Sequence, residues 1–572
     1  MRFPFAFTGL MLCAAPLHAQ SAEEQAAAQA AAIQREQAQA QQDPVIDAPD
    51  GARPQAPALV RSAVGQTCID ITDVNVAGVS LISSDRVQRV VAPVQGQCLG
   101  LAEINSVLEA ITFAYVEAGY IAARAFLPEQ DLSDGQLDVV VVEGSLEAII
   151  VNSDPDVAPR QRATAFPGMV GAPVNLRDIE QGLDQLSRLR SVNATMELAA
   201  GSESGASVLA VNRQVGRRWH ASLGLDDQGS ASTGEYQSRL SFGYDDLLGL
   251  NDTLSLTYQR SMDDSPLSFS DNRPHGDTWT ARFEVPYGYW SFALDGNRNA
   301  YKSQIDGAID PIETSGNSST KNVRVSRIVH RDQISKTTAA GTLTAKETES
   351  FILGSRIDVS SRRLSIFNLD VSHSRQIWGG QGLASLGVSR GLDILGAIVD
   401  NDAPDGAPVA QFTKYDFALG YARNFAIQVQ SVTYNVRLTG QWSDDLLFGS
   451  EQMSLGGHSS VRGAESALLF GNRGLTLRNE FAMPVAFFDH QKYAQAFGQI
   501  VPYLAIDLGR VAPQAPYGIP GGNLSGTAFG LRSQGGHMSF DISYADVLNL
   551  PDNLPAARPD SGVFAASLSI SL

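Results

Sequence analysis

The residues best suited to chemistry in this sequence are an arginine in a glycine-rich loop and an aspartate in a strand-like segment downstream. Arg462 lies in GGHSSVRGAE, residues 456–465. Asp507 lies in VPYLAIDLGRV, residues 501–511, where a two-residue period puts it and Gly509 opposite three apolar side chains. A carboxylate accepts bidentate hydrogen bonds from a guanidinium, and a glycine leaves space for an approaching loop. We therefore predict that the loop folds inward and that Arg462 pairs with Asp507. The alternative is a solvated arginine and a carboxylate that never meet.

Other residues with catalytic potential lack the spacing that such chemistry requires. The segment GVSRG, Gly387–Gly391, has the G-x-S-x-G form of a nucleophile elbow, but that elbow needs a strand turning into a helix, and no helical pattern follows Ser389. The histidines show no metal-ligand spacing, and no G-x-x-x-x-G-K-[ST] phosphate loop occurs. We expect no metal, no cofactor and no enzymatic activity. A lipid hydrolase that uses Ser389 is an alternative function.

The first residues and the cysteines indicate export. MRFPFAFTGLMLCAAPLHAQ has one basic residue, an apolar stretch and a small residue at Ala19, which predicts a signal peptide over residues 1–19. Cleavage after Ala19 would remove Cys13. In an oxidising compartment the two remaining cysteines, Cys68 and Cys98, predict a disulfide. Two buried thiols or a metal site are the alternatives, although two ligands without a neighbouring histidine are too few for zinc.

Length and net charge indicate how many domains the chain has and which partners it is unsuited to bind. The chain has 572 residues and a formal net charge of -19. Several domains are expected, because one domain usually takes roughly 100–200 residues. The negative charge argues against nucleic acid as a partner, since a nucleic-acid-binding protein needs a basic face.

Four patterns follow the signal peptide. Residues 20–43 are rich in helix-forming Ala, Gln and Glu, which favours a polar helix, with a disordered tail as the alternative. Residues 44–62 are rich in proline, which predicts an extended linker. Residues 63–144 and 145–215 each combine strands with amphipathic helices and predict two small α+β modules. Open sheet edges in such modules could accept an extended peptide as an added strand.

Residues 216–572 alternate between apolar and polar side chains and predict a transmembrane β-barrel with a wet lumen. TWTARFEVPY, for example, puts Trp279 and Phe283 opposite Arg282 and Glu284. A soluble all-β sandwich is the alternative, but its dry core would not accept so many polar side chains. Sixteen strands are expected, with starts near residues 221, 236, 252, 277, 289, 320, 335, 362, 379, 414, 431, 473, 499, 524, 537 and 562.

Several motifs of this sequence occur together in one known family. They are VRG at 461–463, DLG at 507–509 and the helix segment NLRDIEQGLDQLSRL. In the first module they include Cys68, Cys98, Gly119, Tyr120, Pro128, Gln130, Asp131, Leu132, Gly135, Glu143 and Gly144. In these motifs the sequence resembles the outer-membrane transporters of two-partner secretion systems, the haemolysin secretion/activation family, and the resemblance covers essentially the whole mature chain.

This resemblance implies a 16-stranded antiparallel barrel preceded by an N-terminal plug helix and two polypeptide-transport-associated (POTRA) domains. It also implies a contact that holds the inward-folded loop to the barrel wall. The residues expected in this loop–barrel lock are Arg462, Asp507, Val461, Gly463, Gly509 and Tyr503. Two residues depart from the family pattern. Asp227 stands where an asparagine is commoner, and Ala464 follows VRG where an aromatic residue is usual.

The implied function is secretion of an unfolded exoprotein through the barrel without ATP. The protein would lie in the outer membrane of a Gram-negative bacterium, in contact with its lipid, with the POTRA domains in the periplasm. The exoprotein, an adhesin, a haemolysin or a contact-dependent inhibitor, would bind the POTRA domains by strand addition. A barrel-assembly factor of the same superfamily is the alternative.

Overall fold

The computed structural model describes residues 68–152, 158–230, 232–262, 265, 273–305, 311–402, 406–428, 430–464, 467–485, 491–514, 521–551 and 562–572. They form two small α+β units followed by a closed β-barrel. The predicted signal peptide, N-terminal helix and linker lie outside the described residues. The domain limits drawn from the sequence stay predictions.

The first unit is a three-stranded sheet covered by two helices. Strand β5 (Gln136–Val142) lies between the parallel strand β2 (Asp73–Ala77) and the antiparallel strand β4 (Arg124–Phe126). Its alternating residues Leu137, Val139 and Val141 are buried in one apolar core with Val107 and Ile111 of helix α2. The elements are β1 (Ile69–Ile71), β2 (Asp73–Ala77), α1 (Ser84–Val91), β3 (Gln97–Leu99), α2 (Leu101–Glu117), β4 (Arg124–Phe126) and β5 (Gln136–Val142).

A disulfide joins the two cysteines of this unit, as predicted. Cys68 directly precedes β1 and Cys98 lies in β3, the antiparallel partner of β1, with Cα atoms 5.3 Å apart. The bond closes a loop with a sequence separation of 30 that contains α1. A loop of this length corresponds to about 3.5 kcal/mol of stabilisation in the chain-entropy model.

The second unit repeats this plan with β8 at the centre of its sheet, between a parallel β6 and an antiparallel β7. Ile179 and Leu186 of helix α4 are buried against the sheet. No helix within the described ranges is long and apolar enough to cross a membrane. The elements are β6 (Ser145–Val151), α3 (Pro159–Ala165), α4 (Leu176–Ser187), β7 (Val192–Ala200) and β8 (Ala206–Val215).

Sixteen antiparallel strands close into one barrel, which confirms the predicted fold class. A two-residue strand, β16 (Ser355–Arg356), extends one hairpin, and a short helix, α5 (Gln491–Phe497), precedes β24. The barrel strands are β9 (Trp219–Asp226), β10 (Tyr236–Asp245), β11 (Thr253–Met262), β12 (His275–Tyr287), β13 (Trp290–Ile305), β14 (Ile312–Arg331), β15 (Ser335–Ile352), β17 (Arg362–Ile377), β18 (Gly380–Leu392), β19 (Thr413–Ile427), β20 (Gln430–Trp442), β23 (Gly474–Ala482), β24 (Gly498–Val511), β25 (Gly522–Gly535), β26 (Met538–Asn549) and β27 (Val563–Ser571).

One strand differs clearly from its predicted start. Strand β14 begins at Ile312 rather than near residue 320. After Ile312, the added segment ETSGNSS has only polar residues and glycine on both faces, so it lacks the apolar alternation that marks the other strands.

The two faces of the barrel wall differ as a membrane barrel requires. Trp279 on β12 and Leu294 on β13 point outward and are exposed. The residues that alternate with them along each strand point into the lumen. There Arg282 forms an ion pair with Asp295 (Nη1–Oδ1 2.6 Å) and another with Glu284 (Nη2–Oε2 2.8 Å). An apolar outer face around a charged lumen is typical of an outer-membrane barrel.

The second unit is docked on the turns at one end of the barrel. Gln185 Nε2 donates to the Gly288 carbonyl oxygen (2.9 Å), in the turn between β12 and β13. Arg331 Nη1 contacts Asp184 Oδ2 (2.6 Å), and Asn251 Nδ2 donates to a backbone carbonyl of α3 (2.8 Å). Three successive turns therefore meet the second unit, so this end of the barrel is the end that faces the two units.

The barrel closes where β27 pairs with β9 over only five residue pairs. Asp227 lies directly beyond this ladder. Its backbone N–H donates to the Ala566 carbonyl oxygen (3.2 Å), and its Oδ1 accepts from the Ala566 N–H (2.8 Å). Asp227 thus extends the pairing between β27 and β9 through hydrogen bonds from its backbone and side chain to the backbone of Ala566.

Candidate functional site

The connection between β20 and β23, described over residues 443–464 and 467–473, folds into the barrel, and we call it the inward loop. It contains a hairpin of its own, β21 (Met453–Gly456) and β22 (Ala467–Gly471), which the sequence does not distinguish from the rest of the loop. The hairpin gives the loop internal hydrogen bonds, so the tip carrying Arg462 is held at a defined place.

Arg462 and Asp507 meet at this tip. Arg462 Nε donates to Asp507 Oδ2 (2.6 Å), and Nη2 donates to Oδ1 (2.9 Å). The backbone N–H of Arg462 also donates to Oδ2 (3.1 Å). Asp507 is 0% exposed and Arg462 5%. Removing one partner of such a buried pair typically costs about 3–5 kcal/mol, because the remaining charge is left without compensation.

Glycines let the loop tip approach the wall closely. At Gly509 a Cβ would lie 2.9 Å from Leu455 Cδ1 and 3.0 Å from Val461 Cγ2, so a larger residue would push the loop away. Gly463 has a φ of +101°, and a Cβ there would lie 2.4 Å from the Asp546 carbonyl carbon. Both positions therefore require glycine for the tip to stay where Arg462 can reach Asp507.

An apolar patch surrounds the ion pair on the loop side. Val461 is fully buried, and Ala464 is 5% exposed. They pack with Met453, Leu455 and Leu469 of the loop and with Val511, Leu524 and Val547 of the wall. The small Ala464 is thus part of this patch, which keeps water from the ion pair and strengthens its electrostatic attraction.

A chain of charged groups extends the contact along the wall. Arg462 Nη1 also donates to Glu480 Oε2 (2.9 Å), and Glu480 accepts a second hydrogen bond from Arg532 Nη2. The guanidinium of Arg532 lies 4.8 Å from the centre of the Tyr503 ring, and the Tyr503 hydroxyl donates to Asp541 Oδ1 (2.8 Å). Tyr503 is thus linked to Arg462 through Arg532 and Glu480.

A second ionic contact holds the base of the inward loop to another part of the wall. Glu451 is 3% exposed and lies between Lys346 Nζ (2.5 Å) and Lys414 Nζ (3.0 Å), from β15 and β19. Gln441 Nε2 of β20 donates to the Glu451 carbonyl oxygen (3.0 Å). The loop is therefore fixed at two separate places, and we call Glu451, Lys346 and Lys414 the second anchor.

Glu480, Arg532 and the second anchor are site residues that the sequence does not predict. The sequence does contain a signal for Glu480, because it shares the lumen face of β23 with the polar residues Thr476 and Arg478. The two lysines lie 105 and 37 residues from Glu451. Only the closed barrel brings these strands to the same loop.

In the first unit, the predicted POTRA motif residues make contacts that support the fold. The side-chain amide of Gln130 pairs with the backbone of β5 in the way that a neighbouring strand would. Its Nε2 donates to the Asp138 carbonyl oxygen and its Oε1 accepts from the Asp138 N–H, each at 2.8 Å. Pro128 supplies a further carbonyl acceptor for Nε2 (3.3 Å). Gln130 thus satisfies β5 beyond the end of the short β4.

The neighbouring motif residues shape the turn into β5 and the junction after it. Asp131 Oδ1 accepts from the Ser133 N–H (3.0 Å), and the Leu132 carbonyl oxygen accepts from the Gly135 N–H (3.1 Å). The side chain of Leu132 packs against the core of the first unit. Gly144 joins the two units with a φ of +72°.

Glu143 ties three segments of the first unit together. Its Oε1 accepts from the N–H groups of Ser80 (2.6 Å) and Leu81 (2.8 Å) and from the Tyr115 hydroxyl (2.8 Å). The Ser80 hydroxyl donates to Oε2. Partial burial works against ionisation, but these hydrogen bonds outweigh it and lower the pKa of Glu143 below its usual value.

Ser389 lies inside the antiparallel strand β18, where its Oγ accepts from Asn368 Nδ2 (3.0 Å). A turn from a strand into a helix is therefore not formed at this serine, and the geometry gives no support to the lipid hydrolase alternative.

We predict that Glu143→Gln destabilises the first unit by about 1–2 kcal/mol at pH 7, because the amide cannot accept all four hydrogen bonds. The stabilisation by the carboxylate is complete above the unfolded pKa of about 4.3 and is lost as the pH falls through the lower folded pKa. The difference from the parent protein should therefore shrink in acid. Limited proteolysis of the full-length protein in urea, at pH 7 and pH 3, measures it.

The matched control is Glu117→Gln, which removes only an exposed ion pair with Arg86 (2.8 Å) and should change stability little. Equal urea sensitivity of the two variants at pH 7 would show that the Glu143 hydrogen bonds do not hold the unit.

We also predict that Asp507→Asn loosens the inward loop, because Arg462 keeps its buried charge without a full counter-charge. In planar bilayers this variant should show more frequent and larger conductance openings than the parent protein. Asp370→Asn is the matched control, since it breaks a lumenal pair with Arg324 (Nη1–Oδ1 2.8 Å) on the strands β14 and β17. Conductance that Asp507→Asn leaves unchanged, or that Asp370→Asn raises equally, would contradict the prediction.

Family models match most of the described chain. The model described as "Haemolysin secretion/activation protein ShlB/FhaC/HecB" matches residues 205–533. A ShlB-type POTRA domain matches residues 69–144, and a further POTRA domain matches residues 145–200.

Curated relatives and a solved structure agree with this match. The outer membrane transporter CdiB of Dickeya dadantii is 34% identical over 74% of this chain and 74% of its own. CdiB of Escherichia coli is 32% identical over 85% of this chain and 80% of its own. The solved structure of CdiB from Escherichia coli superposes with a TM-score of 0.85, at 29% identity over 95% of this chain and 98% of that one.

The closed barrel, the two POTRA units and these matches lead to one assignment. The chain belongs to the haemolysin secretion/activation family ShlB/FhaC/HecB and is an outer-membrane transporter whose POTRA domains lie in the periplasm.

Proposed function

We propose that this chain carries an unfolded exoprotein from the periplasm to the cell surface through the barrel lumen, without ATP. The observation that carries the proposal is a closed sixteen-stranded barrel whose lumen holds a loop fixed by ion pairs rather than by covalent bonds. A barrel of this size encloses an aqueous channel unless something fills it. A loop held only by non-covalent contacts can leave the lumen and return to it.

The names of the relatives support a secreted protein as the cargo. One relative, 28% identical over 81% of this chain, is the hemolysin transporter protein ShlB of Serratia marcescens. For this chain we propose an exoprotein of the adhesin, haemolysin or contact-dependent inhibitor class.

Two open sheet edges could capture the cargo in the periplasm. Strand β4 is the outer strand of the first sheet and β7 the outer strand of the second. The last residues of β7, 197–200, are all exposed. A groove of about 280 Å³ runs between the two edges and is lined by Phe126 on one side and Leu198 on the other. An extended segment could pair with the free backbone groups of β7 and place alternate side chains in this groove.

The energy for export is proposed to come from the cargo. A chain that folds after leaving the barrel is stabilised by several kcal/mol, which makes its return unfavourable. The barrel then needs only to offer a path, and the inward loop must leave that path during transport. Both ionic contacts of the loop would have to open for this movement.

We predict that a photo-reactive amino acid at Leu198 crosslinks to an exoprotein encoded beside the gene for this chain, because Leu198 borders the proposed edge. The matched control is the same residue at Leu101, which is more exposed (72% against 37%) but lies on helix α2 away from the groove. Crosslinking is read by immunoblot in cells that express both proteins. Equal crosslinking at the two positions, or crosslinking at Leu101 alone, would contradict strand addition at β7.

A further inference from the structure

The outer face of the barrel carries a cluster of cations near its extracellular end. The turns between β10 and β11, β12 and β13, and β14 and β15 contact the second POTRA unit, so the opposite ends of these strands face the cell exterior. Arg298 on β13 and Lys321 on β14 lie on the outward face, because they share it with Leu294 and Val323. Both side chains are exposed.

Arg298 lies near the height expected for the outer boundary of the lipid, and Lys321, which pairs with Gly296, lies two residues closer to the periplasmic end. Trp290 and Tyr287 face each other at the periplasmic end of β12 and β13, and Trp279 faces Arg298 farther along the same pair of strands. Eight residues separate Trp290 from Arg298, which is about 27 Å along the strand at roughly 3.4 Å per residue. With a tilt of about 40° this gives about 21 Å across the membrane, close to the apolar band of about 25 Å in outer-membrane barrels.

A shallow groove lies beside these cations. It has a volume of about 560 Å³ and is bordered by Leu256 and Trp279 on its apolar side and by Arg298 and Lys321 on its polar side. Its floor includes Gly296, where an added Cβ would meet no atom within 4 Å. The groove is therefore open to the membrane at the level where acyl chains meet headgroups.

The charge in the groove is not balanced. Glu347 and Glu349 also line it, but Glu347 already pairs with Arg363 (2.6 Å), and Glu349 lies 3.5 Å from Arg356, which also pairs with Asp358 (2.5 Å). Within the part of the chain that the structure describes, neither Arg298 nor Lys321 has an ion-pair partner. Two unpaired cations are thus held together on the outer surface of a chain whose formal net charge is -19.

We propose that this groove binds a phosphorylated glycolipid of the outer leaflet. Arg298 and Lys321 would contact a lipid phosphate, since guanidinium and ammonium groups bind phosphate oxygens strongly. Leu256 and Trp279 would pack against the upper part of an acyl chain, as aromatic residues do at membrane interfaces. The side chains point away from the lumen, so a cargo inside the barrel does not meet them. The inference rests on the outer-membrane location and orientation, and the transport proposal can fail without affecting it.

The test measures lipid binding by the full-length protein in neutral detergent. The unfolding temperature is followed while bis-phosphorylated lipid A is added, and an apparent Kd is obtained for the parent protein and for Arg298→Gln/Lys321→Gln. We expect the double variant to bind at least tenfold more weakly. Lipid A without its phosphates should bind the parent protein as weakly as intact lipid A binds the double variant. Inorganic phosphate at the same concentrations should produce no shift.

The matched control is Arg327→Gln/Arg375→Gln, which removes two outward-facing cations at the periplasmic end of the same wall and should keep the parent Kd. A second variant, Gly296→Leu, keeps both cations but fills the groove floor, and it should weaken lipid A binding as well. The proposal is overturned if Arg298→Gln/Lys321→Gln binds lipid A like the parent protein. It is also overturned if phosphate-free lipid A binds equally well, or if inorganic phosphate alone reproduces the shift.

Discussion

The structure depends on one constraint, which is that a loop inside a water-filled barrel needs a partner on the wall strong enough to hold it there. Arg462 and Asp507 meet this constraint by excluding water from a bidentate ion pair. Burial of the two charges is costly, and the close geometry offsets that cost only while both partners are present. The same property makes the contact cooperative, because a loop that moves slightly loses most of the interaction at once.

The surrounding residues serve this contact in different ways. Glycines at 463 and 509 allow the close approach, and the apolar patch around Val461 removes water. Glu480 shares the guanidinium of Arg462 and connects it to Arg532. The second anchor around Glu451 fixes the base of the loop to strands on another part of the wall. The loop is therefore held at its tip and at its base, and the proposed opening of the lumen requires both contacts to separate.

Much of this architecture follows from the sequence, because a membrane barrel imposes a two-residue period on every strand. That period identifies the sixteen strands and puts Asp507 and Gly509 on the lumen face. The disulfide could be predicted because export is expected and only Cys68 and Cys98 lie outside the predicted signal peptide. The extended start of β14 was not predictable from the same rule, since it lies in polar residues that alternate with other polar residues.

The contacts between residues of distant strands could not be predicted from the sequence either. Lys346 and Lys414 approach Glu451 only because barrel closure and strand register place β15 and β19 beside the base of the loop. The position of Arg532 next to Glu480 has the same origin. Residue type shows that these groups need partners in a lumen, but it does not show which partners they meet.

The most direct test of the account is a double-mutant cycle on Arg462 and Asp507. Open fractions in planar-bilayer recordings of the parent protein, Arg462→Ala, Asp507→Ala and the double variant give the free energy of loop release. The account predicts a coupling energy of about 1.5 kcal/mol or more, as found for close charge pairs. Effects that add to within about 0.5 kcal/mol would show that the two residues act independently, and would contradict the claim that this pair holds the loop in the barrel.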